Sequence, residues 1–246
     1  WGPAEPLNLG IYVKHEGGIV EAEVRRQTYL KALEIDFYLL RGQNGVAESN
    51  IASESESFSA DTWDVLRGSI AECTRCALHQ TRTQTVFGVG DPTADWMIIG
   101  EAPGQEEDRR GEPFVGRAGK LLDQMLRSVG LDRESVFIAN ILKCRPPNNR
   151  DPIQEEASAC RNYLEQQIDF VRPKIILAVG RVAAQQLLLT DTPVGRMRGK
   201  KYCMPDREIP VVVTYHPAYL LRSPTQKRKG WEDLLFARKI LREVEL

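Results

Sequence analysis

The fold is decided by the stretch Trp96-Met97-Ile98-Ile99-Gly100-Glu101-Ala102-Pro103-Gly104, a short apolar run that ends in a turn containing glycine and proline. Such a run is typical of a strand that is covered on both faces. Runs of the same character occur at residues 136–140, 174–179 and 210–215. The sequence therefore predicts four buried strands.

Stretches with helical spacing of apolar residues separate these strands. They predict helices around residues 121–129, 153–170 and 182–189, and a last helix that includes residues 231–244. Strands that alternate with helices favour an α/β fold with three α/β/α layers and a central, mostly parallel four-stranded sheet. Ligands of such sheets collect beyond the carboxyl ends of the strands, so we expect the functional residues there.

Charge is unevenly distributed along the 246 residues. Residues 1–66 hold 5 Lys or Arg and 11 Asp or Glu, which leaves 28 and 23 for the rest, a net charge of +5. Residues 42–60 are rich in Ser, Glu, Asn and Gly, with few apolar side chains. We expect a partly disordered N-terminal extension over 1–60, with a Ser/Glu-rich linker and a short helix at 25–40, followed by one domain over 61–246.

The sequence also favours one cellular compartment and a class of partner. No apolar stretch approaches the roughly 20 residues that cross a bilayer, and the first residues do not resemble a secretory signal. We therefore expect a cytoplasmic protein without a membrane partner. The basic excess after residue 66 permits contact with a phosphate backbone, although many soluble enzymes have a similar charge.

Four cysteines have the spacing of a metal centre. Cys73 and Cys76 form a C-x2-C pair, and Cys144 and Cys160 follow from the middle of the domain. Disulfides explain the pattern poorly, because Cys203 would have no partner and no secretory signal precedes the cysteines. Four thiolates suit either zinc or an iron-sulfur cluster, and residue chemistry leaves both open.

Polar residues follow the first two predicted strands. Glu101, with Ala102 and Pro103, comes directly after the first strand, where the backbone can approach a flat ligand, although a solvated acidic turn explains it equally well. Asn140 ends the second strand, and its amide offers a donor and an acceptor that suit the edge of a pyrimidine. The alternative is a turn-capping asparagine.

Two further stretches carry candidate residues. Phe114 lies in a Gly/Pro-rich loop where it could stack on a base or anchor the loop in the core. His216 follows the last strand and could act as a general acid or stabilise a developing anion. The run Leu220, Leu221 and Arg222 resembles an apolar wedge with a phosphate anchor.

Several separated motifs together resemble a known family. They are Cys73-x2-Cys76, Gly-Glu-Ala-Pro-Gly, Pro-Phe-Val-Gly, Asn-Ile-Leu-Lys-Cys-Arg-Pro-Pro and His-Pro-Ala-Tyr-Leu-Leu-Arg, in this order over about residues 70–246. In combination they resemble the family 4 uracil-DNA glycosylases, which carry an iron-sulfur cluster. The resemblance implies an enzyme of base excision repair that flips uracil out of DNA and hydrolyses its N-glycosidic bond.

The resemblance also implies roles for individual residues. Glu101 would position or activate water, Phe114 would stack on uracil, Asn140 would read its polar edge, and His216 would contact its O2 side. Ala102 and Pro103 would line the uracil site. The residues that would contact DNA are Leu220, Leu221, Arg222, Arg145 and Arg150. The ligands of a 4Fe-4S cluster would be Cys73, Cys76, Cys144 and Cys160.

Partners and rival functions complete the expectations. Residues 25–36 faintly resemble the docking peptide of the psi subunit of the bacterial replicative polymerase, which suggests a replication or repair partner. The alternative is that this segment packs on its own domain or is disordered.

We expect a monomer that acts on DNA in a bacterial nucleoid. A non-catalytic DNA-binding or replication accessory protein is the rival function. A group that traps DNA through an added histidine loop is disfavoured, because residues 145–151 contain no histidine.

Overall fold

The computed structural model describes residues 60–205 and 207–244. The predicted N-terminal extension, with its linker and its helix at 25–40, lies outside these residues apart from its last position. No helix of the described part is both long enough and apolar enough to cross a membrane.

A six-stranded sheet forms the centre of the described domain. Its strands, in the spatial order β1-β3-β2-β4-β6-β5, are β1 (Val89–Gly90), β2 (Trp96–Gly100), β3 (Phe137–Asn140), β4 (Ile175–Val179), β5 (Lys201–Cys203) and β6 (Pro210–Thr214). The inner strands β3, β2, β4 and β6 run parallel, and they are the four that the sequence predicts. Their register aligns Gly100 with Asn140 and Val179 with Thr214, so the strands end at one edge.

The two edge strands correct the expected strand number from four to six. β1 pairs with β3 and β5 pairs with β6, both antiparallel. The sequence gives no signal for them because each is only two or three residues long and lacks a fully buried apolar run. Cys203, which matches no predicted ligand position, is exposed in β5.

Helices cover both faces of this sheet. Those with predicted counterparts are α3 (Arg117–Arg127), α4 (Gln154–Val171), α5 (Arg181–Leu188) and α8 (Lys227–Val244). Shorter or more polar helices escaped prediction, and they are α1 (Ala60–Ala71), α2 (Gln105–Arg110), α6 (Val194–Met197) and α7 (Pro217–Arg222).

Two apolar clusters show why the domain has three layers. Alternate strand residues point to opposite faces, so Met97 and Ile99 pack with α4 and α5, while Trp96 and Ile98 pack with α3 and α8. The inner strands are buried along their whole length, as parallel strands between helical layers should be. The predicted α/β/α architecture is therefore confirmed.

Candidate active site and cysteine cavity

An open cleft of about 830 Å³ lies at the carboxyl ends of the parallel strands. Each inner strand contributes a residue to its lining: Glu101 after β2, Asn140 at the end of β3, Gly180 after β4 and His216 after β6. Ala102, Pro103 and Phe114 line the same cleft. The structure thus brings together the residues that the sequence predicts at separate strand ends.

Glu101 lies in this cleft as a carboxyl group with an unusual affinity for its proton. Burial, followed by the negative charge of Asp151, raises the pKa of Glu101 to about 7, and the positive charge of Arg181 opposes the shift. Asp151 and Arg181 form an ion pair that lines the cleft. A carboxyl group with a pKa near neutrality can accept a proton from water during a reaction.

The two charged neighbours that shift the pKa of Glu101 were not predicted as site residues. Arg181 could have been found, because it stands just beyond the third predicted strand. Asp151 lies in the loop before α4, away from the predicted strand ends. Its proximity to Glu101 is a product of the tertiary fold.

The side chains of Asn140 and Phe114 both lie close to Gly100. Asn140 is buried, with 3% of its surface exposed, and it pairs in register with Gly100. A Cβ at position 100 would overlap the Asn140 Oδ1 atom and would lie 2.6 Å from the Phe114 Cζ atom. Glycine at this position therefore allows the amide and the ring to share one corner of the cleft.

Phe114 has a backbone conformation that a bulky residue rarely adopts, with φ at +55°. Such a residue costs about 1–3 kcal/mol and persists where its surroundings hold it. Its ring stacks on His216 with centroids 5.7 Å apart and 29° between the ring planes. Its carbonyl packs so closely on Gly119 that a Cβ there would overlap it.

Side chains on both sides of the loop hold Phe114 in this conformation. Arg133 donates to the carbonyl oxygens of Phe114, at 3.2 Å, and of Pro113. It also pairs with Asp123 at 3.1 Å. One carboxylate oxygen of Glu107 accepts hydrogen bonds from the backbone N–H groups of Val115 and Gly116, which follow Phe114, both at 3.1 Å. Neither Arg133 nor Glu107 was predicted as a site residue.

His216 is the N-cap of α7 and is neutral at physiological pH. Burial, followed by the positive charge of Arg222, lowers the pKa of His216 to about 4. Its Nδ1 atom accepts a hydrogen bond from the backbone N–H of Ala218 at 3.1 Å. Because Nδ1 accepts, the neutral ring carries its proton on Nε2, where it can be donated.

The predicted wedge residues separate into different environments. Leu220 is 1% exposed, and a Cβ on Gly230 of α8 would lie 3.0 Å from its Cδ1 atom. Leu220, predicted as one of three residues of a DNA-contacting wedge, is thus buried where α7 packs on α8. Leu221 is partly exposed, and Arg222 is exposed and lines the cleft.

The two predicted phosphate-binding arginines hold the loop before α4. Arg150 lines the cleft and makes a two-pronged ion pair with the buried carboxylate of Glu156, at 2.6 and 2.9 Å. Arg145 donates to the side-chain oxygen of Asn149 at 2.7 Å. Both guanidinium groups thus have protein partners in addition to any contact with DNA.

The four predicted metal ligands line a second, small cavity. Cys144 and Cys160 are buried, Cys73 and Cys76 are partly buried, and none forms a disulfide. The sulfur of Cys144 accepts a hydrogen bond from Arg82 at 3.1 Å. The sulfur of Cys160 accepts one from a backbone N–H at 3.3 Å. Within the described residues, no group of three or more His, Cys, Asp or Glu side chains is arranged to hold a metal ion.

Comparisons with known proteins agree with this geometry. A family model described as the uracil DNA glycosylase superfamily matches residues 87–235. The chain is 47% identical over 176 residues to a type-4 uracil-DNA glycosylase of Archaeoglobus fulgidus, covering 69% of this chain and 87% of the relative. It is 43% identical to type-4 uracil-DNA glycosylases of Sulfurisphaera tokodaii, covering 73% of this chain and 85% of the relative, and of Saccharolobus solfataricus, covering 70% and 83%.

The matched region contains all four inner strands and every side chain that lines the cleft. The chain is more than 40% identical to these relatives over more than four fifths of their length, and the family model matches as well. The chain belongs to the uracil DNA glycosylase superfamily, within its type-4 family.

Proposed function

We propose that this protein is a uracil-DNA glycosylase that hydrolyses the N-glycosidic bond of uracil in DNA. One observation carries the proposal: Glu101, Asn140, Phe114 and His216 line a single cleft at the carboxyl edge of the sheet. Together they supply a general base, a hydrogen-bonding amide, an aromatic ring and an uncharged hydrogen-bond donor. The type-4 relatives carry the same activity in their names.

Recognition begins with extrusion of the nucleotide, because the bond is unreachable inside a stacked duplex. The cost of a few kcal/mol is offset by contacts that the flipped base makes in the cleft. Phe114 offers a ring face for stacking. The Asn140 amide would pair with the polar edge of uracil, whereas the exocyclic amine of cytosine would leave it mispaired.

Bond cleavage places opposite charges on the two fragments. As the bond between C1′ and the base nitrogen breaks, negative charge develops on uracil and positive charge on the sugar. The Nε2–H group of neutral His216 would donate to the uracil oxygen, and ionised Glu101 would stabilise the sugar. Water then attacks C1′ and its proton passes to Glu101, which releases it to solvent, while the uracil anion takes up a proton from solvent. The products are an abasic sugar and free uracil.

DNA contacts would come from the rim of this cleft. Arg222 is exposed beside His216, and Leu221 next to it is accessible to fill the space left by a flipped nucleotide. Arg150, which lines the cleft, and Arg145 in the same loop add positive charge, and their bonds to Glu156 and Asn149 also hold this loop.

We further infer that Cys73, Cys76, Cys144 and Cys160 hold a 4Fe-4S cluster. Their shared cavity and the hydrogen bonds donated to two of the sulfurs suit a thiolate-ligated cluster. Zinc also accepts four thiolates, so analysis of iron and sulfide identifies the metal. The cluster would supply a structural link between the segment before β1 and the loop after β3.

The activity is tested with a uracil-containing single-stranded oligonucleotide and chromatographic detection of free uracil. We expect release by the native enzyme and losses of at least about 100-fold for Glu101→Ala and for His216→Ala. Lys239→Ala, an exposed substitution on α8, serves as the control. DNA binding by the native protein without any release would favour the accessory-protein rival.

The cofactor is tested by iron and acid-labile sulfide analysis of anaerobically purified protein. We expect about four iron atoms per chain, and loss of both elements in Cys160→Ala but not in Cys203→Ala, because Cys203 lies in β5. Stoichiometric zinc without sulfide would contradict the cluster assignment.

A further inference from the structure

Trp231 on α8 is exposed in an unusual way. It leaves 47% of its surface accessible, and among the tryptophan and phenylalanine side chains that the structure describes, it alone is exposed. Gly230 before it is buried, and so are Asp233 and Leu234 after it. The helix therefore has an ordinary core-facing side, and Trp231 lies at the border of that side with 47% of its surface in solvent.

Basic residues accompany Trp231 at the start of the helix. Lys227 and Arg228 precede it by four and three positions, which places them beside it on the helix surface. Lys229 is exposed as well. The first turn of α8 contains no acidic residue, although the positive end of an 18-residue helix disfavours cations.

Neutralisation of this charge within the protein is weak. Arg228 pairs with Glu232 at 3.0 Å, but both side chains are largely exposed, at 84% and 50%. Lys227 and Lys229 make no ion pair to any residue within 60–205 or 207–244. The surface formed by Lys227, Arg228 and Trp231 is hereafter called the α8 platform, and its charge is complementary to a polyanion.

The α8 platform lies next to the rim of the cleft. Only residues 223–226 separate α7 from α8, and Arg222 at the end of α7 lines the cleft. The contact between Leu220 and Gly230 fixes the start of α8 against α7. A strand whose flipped nucleotide occupies the cleft would therefore leave it close to Trp231.

We propose that the α8 platform is a docking site for single-stranded DNA that flanks the uracil. A base stacks on the exposed face of Trp231, and the adjoining phosphates contact Lys227 and Arg228. Aromatic stacking combined with a basic surface is how proteins hold single strands without reading their sequence. This inference rests on the proposed function, because it assigns a path to the substrate of the same cleft.

Fluorescence titration tests the platform without any catalysis. The probe is a uracil-free thymidine oligonucleotide of about 16 nucleotides, within the range of single-strand site sizes. We expect quenching of tryptophan emission in the native protein and loss of most of that quenching in Trp231→Phe. Trp231→Ala should raise the Kd roughly tenfold. Native-like circular dichroism is expected, since the side chain is half in solvent.

Charge is tested separately in the double variant Lys227→Ala, Arg228→Ala. We expect the slope of log K against log salt to become shallower by about 1.4, since each phosphate contact on a single strand contributes about 0.7. Lys239→Ala is the matched control, because it removes one exposed lysine, paired with Glu243, three turns further along the same helix. It should leave the slope unchanged.

Excision assays locate the platform relative to the cleft. Trp231→Ala should raise the KM for a long single-stranded substrate roughly tenfold, and should leave kcat and all constants for a uracil trinucleotide unchanged. Uracil release by the native enzyme tests the proposed function by itself. Absence of quenching, equal losses on both substrates, or an equal effect of Lys239→Ala would each overturn the platform.

Discussion

The ring of Phe114 stacks on the ring of His216, with centroids 5.7 Å apart. Phe114 belongs to the loop before α3, and His216 begins α7. This separation is an ordinary contact distance for two rings, so no base fits between them. In the proposed mechanism, a flipped base would therefore lie outside the stacked pair and not between the two rings.

The first prediction concerns this pair. Phe114→Ala should lower kcat/KM for uracil excision roughly 10- to 100-fold, because stacking on a base contributes about 1–3 kcal/mol and His216 loses its neighbour. Phe114→Tyr should retain most activity, since the ring face is kept. Steady-state kinetics on a single-stranded oligonucleotide provide the measurement. An alanine variant as fast as the native enzyme would refute the stacking role.

The second prediction concerns the anchor of the Phe114 loop. Arg133→Met should reduce kcat/KM about tenfold, because Arg133 donates to the carbonyl oxygens of Pro113 and Phe114 and so holds the left-handed conformation of Phe114. Arg133→Lys should rescue little, because an ammonium lacks the planar fork of donors. Arg161→Met, which removes the surface pair with Glu165, is the control. A loss confined to melting temperature would indicate that Arg133 acts on stability alone.

The third prediction concerns pH. The proposed mechanism requires ionised Glu101, whose pKa is raised to about 7, so kcat should increase as pH rises through about 7 and then level off. His216, with a pKa near 4, stays neutral and adds no second step above about pH 5. Glu101→Gln should abolish the step along with most activity.

Neighbouring charges provide a sharper check on this assignment. Asp151→Asn should move the step to lower pH, because the negative charge that helps to raise the Glu101 pKa is removed. Arg181→Gln should move it to higher pH. Shifts in the opposite directions would show that another group governs the profile.

The fourth prediction concerns Gly100. Gly100→Ala should cost at least about 100-fold in kcat/KM, because its methyl group would displace the Asn140 amide and the Phe114 ring. Gly68→Ala is the control: no atom lies within 4 Å of its added Cβ, and an alanine in helix α1 should stabilise the protein by about 0.5–1 kcal/mol. Activity and thermal unfolding measured for both variants distinguish local displacement from general destabilisation.

Much of the fold was predictable because the inner strands are buried on both faces. Ile98, Ile138, Leu177 and Val212 must all be apolar in such a sheet, and a run of apolar residues is visible without knowledge of its neighbours. β1 and β5 were missed since short edge strands place no such demand on sequence.

The sequence by itself determined the parallel core, the residues that end its strands and the four thiols, because burial and chemistry restrict each of these positions locally. Only the tertiary structure decided that Asp151 raises the pKa of Glu101, that Arg133 holds Phe114 and that Leu220 is buried beneath α8. Charge interaction, anchoring and burial depend on distances between segments far apart in the chain. Those distances exist only once the sheet has aligned its strand ends.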